Sequence, residues 1–245
     1  DALSVSALDD KVAWYENLGG SQFGPQRVVT TETDQAVAVA AADLDGDGDQ
    51  DLLTASWGDA TLGWVQNLGG GQFGDRQVLD GFAPFAFSVG AADLDGDGDL
   101  DAALTSVVQR TVSVCWNQGG GLFSAPMTLH QGRSAMHRVL ARDLDGDGLP
   151  ELVFAGGSVG LLRNLGAGSF GAAEPVDPSG VSIWTLDLGD LDGDGDLDLA
   201  TGAWWSHEVA WLENLGGGTF GPRLTLTQAV LGVSDVRVRD FDGDG

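Results

Sequence analysis

The chain has 245 residues, and its 37 acidic against 11 basic side chains give it a formal net charge of −26. This charge disfavours nucleic acid as a partner, because the phosphate backbone would be repelled. No run of about 20 apolar residues could span a membrane, so we expect no membrane insertion. The single cysteine, Cys115, cannot form an internal disulfide and is interpreted as a small core residue.

The N-terminal segment already contains the pattern that the rest of the chain repeats. DALSVSALDDKVAWYENLGG aligns, at an offset of 50 residues, with DLLTASWGDATLGWVQNLGG. Both segments carry short apolar or β-branched runs flanked by glycine, which predicts strands rather than helices. In this alignment Asp1 takes the place of Asp51, the last acid of an acidic loop.

The first complete acidic loop is DLDGDGDQD, at residues 43–51. Positions 1, 3, 5 and 9 are occupied by Asp43, Asp45, Asp47 and Asp51. At an effective dielectric of about 20, two carboxylates roughly 4.5 Å apart repel by about 4 kcal/mol, so a cation is expected. Oxygen ligands without nearby His or Cys favour calcium over zinc or magnesium. Gly48 allows the sharp turn, and the backbone carbonyl of Asp49 is the natural ligand at position 7.

An EF-hand begins in the same way, but it requires a bidentate Glu at position 12 between two helices. Position 12 of the successive loops is occupied by Thr54, Leu104, Phe154 and Thr201. The segments that follow the loops are short, apolar or β-branched, which favours strands. The EF-hand interpretation therefore fails, and the loop is predicted to join two strands.

The loop recurs along the whole chain. Loops begin at Asp43, Asp93, Asp143, Asp190 and Asp240, with spacings of 50, 50, 47 and 50 residues. Each repeat also has a glycine-rich tail with one asparagine column (Asn17, Asn67, Asn117, Asn164 and Asn214) and one phenylalanine column (Phe23, Phe73, Phe123, Phe170 and Phe220). Periods of this length with several strand-like segments indicate propeller blades or a solenoid.

The combination of DxDGDGxxD, a strand and W-x-x-N-x-G-x-G-x-F-G resembles the FG-GAP/VCBS repeats of integrin α-subunit-like β-propellers and of many secreted bacterial proteins. The resemblance covers essentially the whole chain and implies an all-β propeller of four-stranded antiparallel blades with one calcium ion per blade. Carried over residue by residue, it implies metal ligands at Asp43, Asp45, Asp47, Asp49, Asp51, Asp93, Asp95, Asp97, Asp99, Asp101, Asp143, Asp145, Asp147, Leu149, Glu151, Asp190, Asp192, Asp194, Asp196 and Asp198.

The third loop departs from this pattern. Its position 8 is Pro150 and its position 9 is Glu151, where the other complete loops have aspartate. A longer acid at this position leaves calcium binding expected, but with altered geometry.

The two ends of the chain carry complementary halves of one further loop. The C-terminal DFDGDG supplies Asp240, Asp242 and Asp244, and Asp1 supplies the position-9 acid. We therefore predict a single domain over residues 1–245, with five blades, four complete calcium loops and one loop split between the termini. The first blade would be completed by a C-terminal strand at about residues 229–245. The alternative is a fragment of a larger, often seven-bladed, propeller.

If the strands of a blade are named A to D from the axis outward, the Asp loop joins A to B and the asparagine tail joins C to D, so both lie on one face. The sequence varies on the other face. The candidate ligand-binding residues there are Trp57, Phe87, His137, Trp184, Trp204 and Trp205. Exposed aromatic side chains suit sugar stacking or the anchoring of a protein, but packing between blades is the alternative. The column Trp14, Trp64 and Trp211 is predicted to pack between blades.

These observations predict an extracellular or cell-surface module that recognises carbohydrate or protein, because extracellular calcium modules bind in about the 10⁻⁴ to 10⁻³ M range. Its oligomeric state is left open. The alternative is a polysaccharide lyase or hydrolase, for which His137 beside Arg138 is the best base-and-cation pair. The sequence contains no nucleophile elbow, zinc-ligand spacing or phosphate loop. We therefore predict that the protein is not an enzyme.

Overall fold

The computed structural model describes residues 1–79 and 85–240, and within these ranges the chain is all β, without a helix. The strands are Ala2–Ser6 (β1), Lys11–Tyr15 (β2), Asn17–Gly19 (β3), Gln22–Phe23 (β4), Arg27–Thr30 (β5), Ala36–Ala42 (β6), Asp51–Ser56 (β7), Leu62–Val65 (β8), Gln77–Leu79 (β9), Ala86–Ala92 (β10), Asp101–Ser106 (β11), Thr111–Cys115 (β12), Met127–Gln131 (β13), Arg138–Arg142 (β14), Glu151–Ala155 (β15), Val159–Leu162 (β16), Glu174–Pro175 (β17), Thr185–Gly189 (β18), Asp198–Ala203 (β19), Glu208–Leu212 (β20) and Leu224–Thr227 (β21).

The strands form consecutive antiparallel sheets, which we number as blades 1 to 5 in chain order. Blades 2 to 5 are the four-stranded sheets β6–β9, β10–β13, β14–β17 and β18–β21. Each Asp loop joins the first strand of its sheet to the second, and each asparagine tail joins the third to the fourth. Both connections therefore lie at the same end of a blade, as predicted. We call this the loop end and the opposite end the turn end.

The second strand of each four-stranded blade is buried at every residue, as in β7 and β11. Such strands read as continuous apolar or small-residue runs rather than as alternating patterns, because they are covered on both faces. This burial explains why the segments after the Asp loops look like strands in the sequence and not like amphipathic helices.

Blade 1 differs from the others. It contains the three-stranded sheet β1-β2-β5 and the two-stranded ribbon β3-β4, so no strand among the described residues pairs with β1 on the side away from β2. We expected a C-terminal strand at about residues 229–245; of these, the described residues 229–240 form no strand. The predicted ligands Asp242 and Asp244 lie outside the described residues. Completion of blade 1 by the C-terminal segment stays a prediction.

The chain divides into two compact units, which are described separately. Unit 1 comprises Asp1–Asp93 and Gly98–Gln131, and unit 2 comprises Leu94–Asp97 and the chain from Gly132 onward. The main core of unit 1 gathers Leu53, Leu62, Trp64 and Leu104, and it includes Cys115. Burial raises the pKa of the Cys115 thiol to about 12. This thiol is therefore an inert core group, as predicted.

The core of unit 2 gathers Val153 and Leu161 from strands β15 and β16 of blade 4 with Leu186 and Leu199 from strands β18 and β19 of blade 5. All four side chains are fully buried or nearly so. Blades 4 and 5 thus share one apolar core. Among the described residues, no helix is long and apolar enough to cross a membrane.

The tryptophan column packs between blades in unit 1, as predicted. A Cβ atom built on Gly71 would lie 2.7 Å from the ring of Trp14, and one built on Gly121 would lie 2.3 Å from the ring of Trp64. Each indole ring of one blade therefore covers a glycine of the next. Glycine is required at these two positions because any side chain would enter the indole ring.

Candidate functional site

At the loop end, the first acid of an Asp loop accepts hydrogen bonds from backbone amides of its own loop. In the first Asp loop, Oδ1 of Asp43 accepts from the amide of Gly46 at 2.9 Å, and Oδ2 accepts from the amide of Gly48 at 3.0 Å. Gly46 and Gly48 have φ values of 78° and 94°, a region that favours glycine. These bonds wind the loop around the position-1 acid.

The position-9 acid joins the end of the loop to its start and to the asparagine tail through two backbone amides. Asp51 is fully buried; its Oδ2 accepts from the amide of Leu44 at 3.2 Å, and its Oδ1 accepts from the amide of Asn67 at 2.7 Å. Burial raises the pKa of Asp51, although the amides of Asn67 and Leu44 oppose that rise. A buried carboxylate with raised pKa lacks charge compensation, which a cation in the loop would supply.

Each complete loop brings three carboxylates together. Carboxylate oxygens within 4.8 Å of one another come from Asp43, Asp45 and Asp51; from Asp93, Asp95 and Asp101; from Asp143, Asp145 and Glu151; and from Asp190, Asp192 and Asp194. All of these donors are oxygen atoms, which is the ligand type of hard cations. The loops could therefore each hold a metal ion.

The remaining predicted ligands support the loop as well. The amide of Asp49 donates to Oδ1 of Asp47 at 2.9 Å, and the amide of Asp196 donates to Oδ1 of Asp194 at 2.9 Å. Besides Asp47, Asp49 and Asp196, the predicted ligands of the complete loops that lie outside these clusters are Asp97, Asp99, Asp147, Leu149 and Asp198. Asp198 has the same role as Asp51: its Oδ1 accepts from the amide of Asn214 at 2.7 Å, as Oδ1 of Asp51 accepts from the amide of Asn67.

The third loop keeps this frame despite its longer acid. Oε2 of Glu151 accepts from the amide of Leu144 at 2.9 Å, as Asp51 accepts from Leu44. The other oxygen, Oε1, is buried and accepts no hydrogen bond within the described part of the chain. Burial raises the pKa of Glu151. A buried carboxylate oxygen without a donor beside Asp143 and Asp145 fits a metal ligand.

The asparagine column ties one blade to the next, a role that the sequence did not reveal. The side-chain amide of Asn117 donates to Leu44 O at 2.7 Å in the preceding blade and to Leu100 O at 3.2 Å in its own loop. Asn214 does the same with Leu144 O at 3.2 Å and Leu197 O at 3.3 Å. The recurrence of the column was the only signal, and it did not indicate which partners the amide has.

At the turn end of unit 1, Trp57 meets the two aromatic residues around the start of β10. Its ring lies 5.2 Å from that of Phe85 and 6.1 Å from that of Phe87, both in edge-to-face geometry. All three are half-buried. Trp57 and Phe87 are thus brought together as predicted for one face, but much of their surface is used in mutual packing.

At the turn end of unit 2, three of the predicted residues form one aromatic cluster. The His137 ring stacks on Trp184 at 4.2 Å, and Trp184 lies 5.7 Å from Trp204. Burial lowers the pKa of His137, so the imidazole is neutral at physiological pH. Trp205, the next residue along the turn, is 74% exposed. We call His137, Trp184 and Trp204, together with Trp205, the aromatic cluster.

The turn beside the aromatic cluster is held by a residue that was not predicted as a site. Nδ1 of His207 accepts from the amide of Gly232 at 3.1 Å, and a Cβ built on Gly232 would lie 3.4 Å from Trp204. The segment around Gly232 is therefore tied to the turn and lies along one side of the Trp204 ring.

Buried arginines form a second network that the sequence analysis missed. Nη1 of Arg223 lies 2.8 Å from Oδ2 of Asp177, and its Nε lies 3.0 Å from Oε1 of Glu208, with all three side chains at most 9% exposed. Arg76 stands in the same column of blade 2, where its Nη2 donates to Thr61 at 2.7 Å. The signal was an arginine three residues after the column phenylalanine in two repeats.

The sheets and their loops define this architecture as a β-propeller, which known structures bear out. The chain is similar to an Agrocybe aegerita lectin described as recognising non-reducing terminal N-acetylglucosamine, with 25% identity, a TM-score of 0.65, and coverage of 90% of this chain and 61% of the lectin. The chain thus spans less than two thirds of the length of that lectin.

Two further structures share the fold. The V. cholerae biofilm matrix protein Bap1 has 20% identity, a TM-score of 0.53, and coverage of 91% of this chain and 37% of its own. A mutant of AofleA from Arthrobotrys oligospora has 12% identity, a TM-score of 0.55, and coverage of 91% and 71%. At these identities the likeness concerns the fold alone.

The family follows from the sequence itself. The model of the FG-GAP-like repeat matches residues 1–54, 45–104 and 143–201. The chain therefore belongs to the FG-GAP-like repeat family, as the motifs predicted. A comparison with curated protein sequences found no significant match.

Proposed function

We propose that the protein is a calcium-binding extracellular recognition module whose turn end binds carbohydrate. The observation that carries the proposal is the aromatic cluster of unit 2, in which His137 stacks on Trp184, Trp184 lies tilted against Trp204, and the next residue, Trp205, is exposed. An indole ring that is 74% exposed at the tip of an ordered turn has no packing role. Flat aromatic faces beside a polar edge suit the apolar faces of sugar rings.

The likeness to a lectin supports the ligand class. A protein described as recognising non-reducing terminal N-acetylglucosamine is similar to 90% of this chain. Fold alone does not determine function, so the argument depends on the cluster rather than on the propeller. A terminal sugar with one apolar ring face is the ligand that this cluster fits best.

Calcium is assigned to the Asp loops, one ion in each. The donors are carboxylate and carbonyl oxygens, and the flexible loop geometry suits calcium better than the rigid octahedron that magnesium prefers. The buried Oε1 of Glu151 is available as a metal ligand, because it accepts no hydrogen bond from the described part of the chain. Extracellular calcium modules bind in about the 10⁻⁴ to 10⁻³ M range, so loops of this kind would hold calcium in a secreted or cell-surface setting.

The proposal is for binding without turnover. His137, the best candidate for a general base in a lyase, lies against Trp184 with a ring distance of 4.2 Å. Burial lowers the pKa of the neighbouring Arg138, and its Nε is buried. A half-buried arginine and an imidazole stacked on Trp184 are poorly placed to meet a carboxylate on a polysaccharide.

A glycan array probed in millimolar calcium, followed by titration of the bound sugars into Trp205→Ala, tests the proposal. Trp205→Ala should weaken binding by at least about 1 kcal/mol, the scale of an aromatic anchor. Leu8→Ala is the matched control, because Leu8 is fully exposed in the corresponding turn of blade 1. Its affinity should equal that of the unmodified chain.

Three results would contradict parts of the proposal. An array without bound glycan would exclude carbohydrate as the ligand. Unchanged affinity of Trp205→Ala and Trp204→Ala would exclude the aromatic cluster as the site. Release of shortened oligosaccharides from polysaccharide would favour the lyase or hydrolase alternative.

A further inference from the structure

The residue directly before the column asparagine lies beside an acid of the Asp loop in its own blade. In blade 2, Nε2 of Gln66 donates to Oδ2 of Asp45, the position-3 acid, at 2.5 Å. In blade 4, Nη1 of Arg163 lies 3.6 Å from Oδ2 of Asp145, which has the same position in the third loop. Over the five repeats this column holds Glu16, Gln66, Trp116, Arg163 and Glu213. Arg163 is the only cationic residue of the column.

Neighbouring groups hold the Arg163 side chain at this place. Its Nη1 donates to Gly217 O and its Nη2 donates to Gly218 O in the tail of blade 5, both at 3.1 Å. Its Nε lies 3.3 Å from Oε2 of Glu174 in β17. The tryptophan column contains the smaller Leu161 in this blade. The guanidinium therefore covers Gly218 where an indole ring would otherwise lie, and a Cβ built on Gly218 would be 3.1 Å from Nη1. The positive charge is thus fixed beside the third Asp loop.

The third loop also differs from the first and the fourth in its position-9 acid. Both oxygens of Asp51 accept from backbone amides, and so do both oxygens of Asp198. Glu151 is fully buried, but only its Oε2 accepts, from the amide of Leu144. Its Oε1 has no hydrogen-bond partner within the described part of the chain. The Glu151 carboxylate belongs to the same cluster as Asp145. A buried oxygen without a donor therefore indicates a cation in this loop independently of the sequence motif.

Arg163 has opposite effects on the empty and on the occupied loop. Without an ion, the guanidinium compensates part of the negative charge that three carboxylates bring together. With an ion, the guanidinium and a divalent cation share one carboxylate, that of Asp145, and like charges repel. The side chains of Arg163 and Asp145 are 27% and 25% exposed, so water screens only part of this repulsion. The arginine therefore stabilises the empty loop and weakens the binding of a cation.

We propose that Arg163 is an internal counter-ion of the third Asp loop and makes this loop the weakest calcium site among the four complete loops. The inference rests on the proposed assignment of calcium to these loops. The charge of residue 163 sets the affinity, and the length of Glu151 does not. As the calcium concentration rises, the third loop fills last. Its empty state is the least repulsive of the four, because Arg163 already neutralises part of its charge.

The first test is a calcium titration of Arg163→Gln by isothermal titration calorimetry. Glutamine is the residue that blade 2 has at this position. A charge at this distance changes the proton affinity of a carboxylate by about tenfold or more, so one weak site should tighten by about tenfold while the others stay unchanged. Arg163→Lys is the matched control, because it keeps the charge, and it should leave the weak site weak. Glu151→Asp should not tighten the site.

Three results of this titration would overturn the proposal. The first is an unchanged weak site in Arg163→Gln. The second is an equal gain in affinity in Arg163→Lys, which would assign the effect to the hydrogen bonds of the guanidinium and not to its charge. The third is a tightening by Glu151→Asp alone, which would assign the effect to the length of the acid.

The second test transfers the charge to the first loop and compares stabilities. Gln66→Arg should weaken one further site by about tenfold, because Gln66 contacts Asp45 as Arg163 contacts Asp145. Arg163→Gln should lower the melting temperature more in chelator than in calcium, because the guanidinium stabilises only the empty loop. A purely structural role of the contacts with the tail of blade 5 would lower both melting temperatures equally. Equal losses, or unchanged calcium affinities in Gln66→Arg, would overturn the proposal.

These outcomes separate the inference from the proposed function. If the unmodified chain binds no calcium, the metal assignment fails and the counter-ion role of Arg163 fails with it. If the unmodified chain binds calcium and Arg163→Gln has the same affinities, only the counter-ion role is overturned. Neither result depends on glycan binding.

Discussion

The two ends of each blade contrast in what they repeat. At the loop end both the side chains and their contacts recur: the first, third and fourth Asp loops carry the same amide bonds to the position-1 acid. At the turn end only the backbone recurs. Asp10, Ala60, Arg110 and His207 share one position of the turn with φ between 56° and 61°, yet their side chains differ completely.

In the proposed function, this contrast corresponds to a scaffold at the loop end and a recognition surface at the turn end. A constant backbone with variable side chains presents different groups at fixed places, which is the arrangement of a binding surface on a rigid scaffold. Left-handed backbone at a non-glycine residue has a conformational cost. The recurrence of this conformation shows that the turn geometry is imposed by the blade and not by the local sequence.

The largest expected effect is at the loop end, on removal of calcium. Binding at 100 times Kd stabilises by about 2.7 kcal/mol for each ion, and 1 kcal/mol shifts the melting temperature of a chain of this size by roughly 2–4 °C. Chelation of four loops should therefore lower the melting temperature by at least about 10 °C in calorimetry. Magnesium should restore little of the loss, and Asp194→Ala should remove about one bound ion.

If the chelated protein has the same melting temperature as the calcium-loaded protein, the structural role of the loops is contradicted. Elemental analysis without calcium after dialysis against millimolar calcium would contradict the metal assignment itself. Glu151→Asp sharpens the comparison among loops, because it restores the common acid at position 9 and should leave the number of bound ions unchanged.

The next largest effect concerns the buried charges near the turn end of blade 5. Arg223→Ala leaves Asp177 and Glu208 buried without their partner and should destabilise by about 3–5 kcal/mol in chemical denaturation. Arg27→Ala is the control, since Arg27 and Glu16 are each 42% exposed; it should cost at most about 1 kcal/mol. Equal effects would show that burial does not govern these pairs.

The same network gives a pH dependence. Burial tends to raise the pKa of Glu208, but hydrogen bonds from Thr225 and Arg223 outweigh it, so the pKa lies below the usual 4.5. The stabilisation is therefore present above pH 4.5 and is lost as the pH falls through the lowered value. The free energies of unfolding of Arg223→Ala and of the unmodified chain, measured by chemical denaturation, should converge in that acid range.

A smaller effect tests the packing between blades. Gly121→Ala places a methyl group 2.3 Å from the Trp64 ring and should destabilise by about 1–3 kcal/mol beyond the cost of its backbone conformation. Gly120→Ala is the control, because Gly120 also has positive φ but no atom within 4 Å of its Cβ position. Identical free energies of unfolding would show that only the backbone conformation matters.

The smallest expected effect on stability is at the tip of the turn end. Trp205→Ala should change the free energy of unfolding by no more than about 0.5 kcal/mol, because the ring is mostly exposed. A large loss of stability would show that Trp205 packs in solution. It would also remove the contrast between a scaffold end and a recognition end.

The sequence predicted most of the loop end because its chemistry is local. Nine consecutive residues contain the acids and the glycines, so the turn at Gly46 and Gly48 could be read from spacing alone. The four-stranded sheets followed from the short runs between loops. The blade-to-blade bond from Asn117 to Leu44 could not be read, since the two residues are 73 positions apart.

At the turn end the sequence supplied candidates without contacts. His137, Trp184 and Trp204 come from separate segments, and their stacking depends on how blades 4 and 5 pack together. The burial of the Arg223 side chain could not be predicted either, because an arginine just before an edge strand is ordinarily solvated. Residues 228–240 form no strand, and completion of blade 1 by the C-terminal segment stays a prediction, since strand pairing requires a neighbouring edge that local sequence does not specify.

The sequence by itself determined the repeat, the strand-loop-strand unit and the oxygen donors of each Asp loop, because metal-loop geometry is set within nine residues. Only the tertiary structure decided which aromatic rings meet and which asparagine reaches the preceding blade. These depend on the packing of one blade against another, where residues distant in sequence come into van der Waals and hydrogen-bond contact.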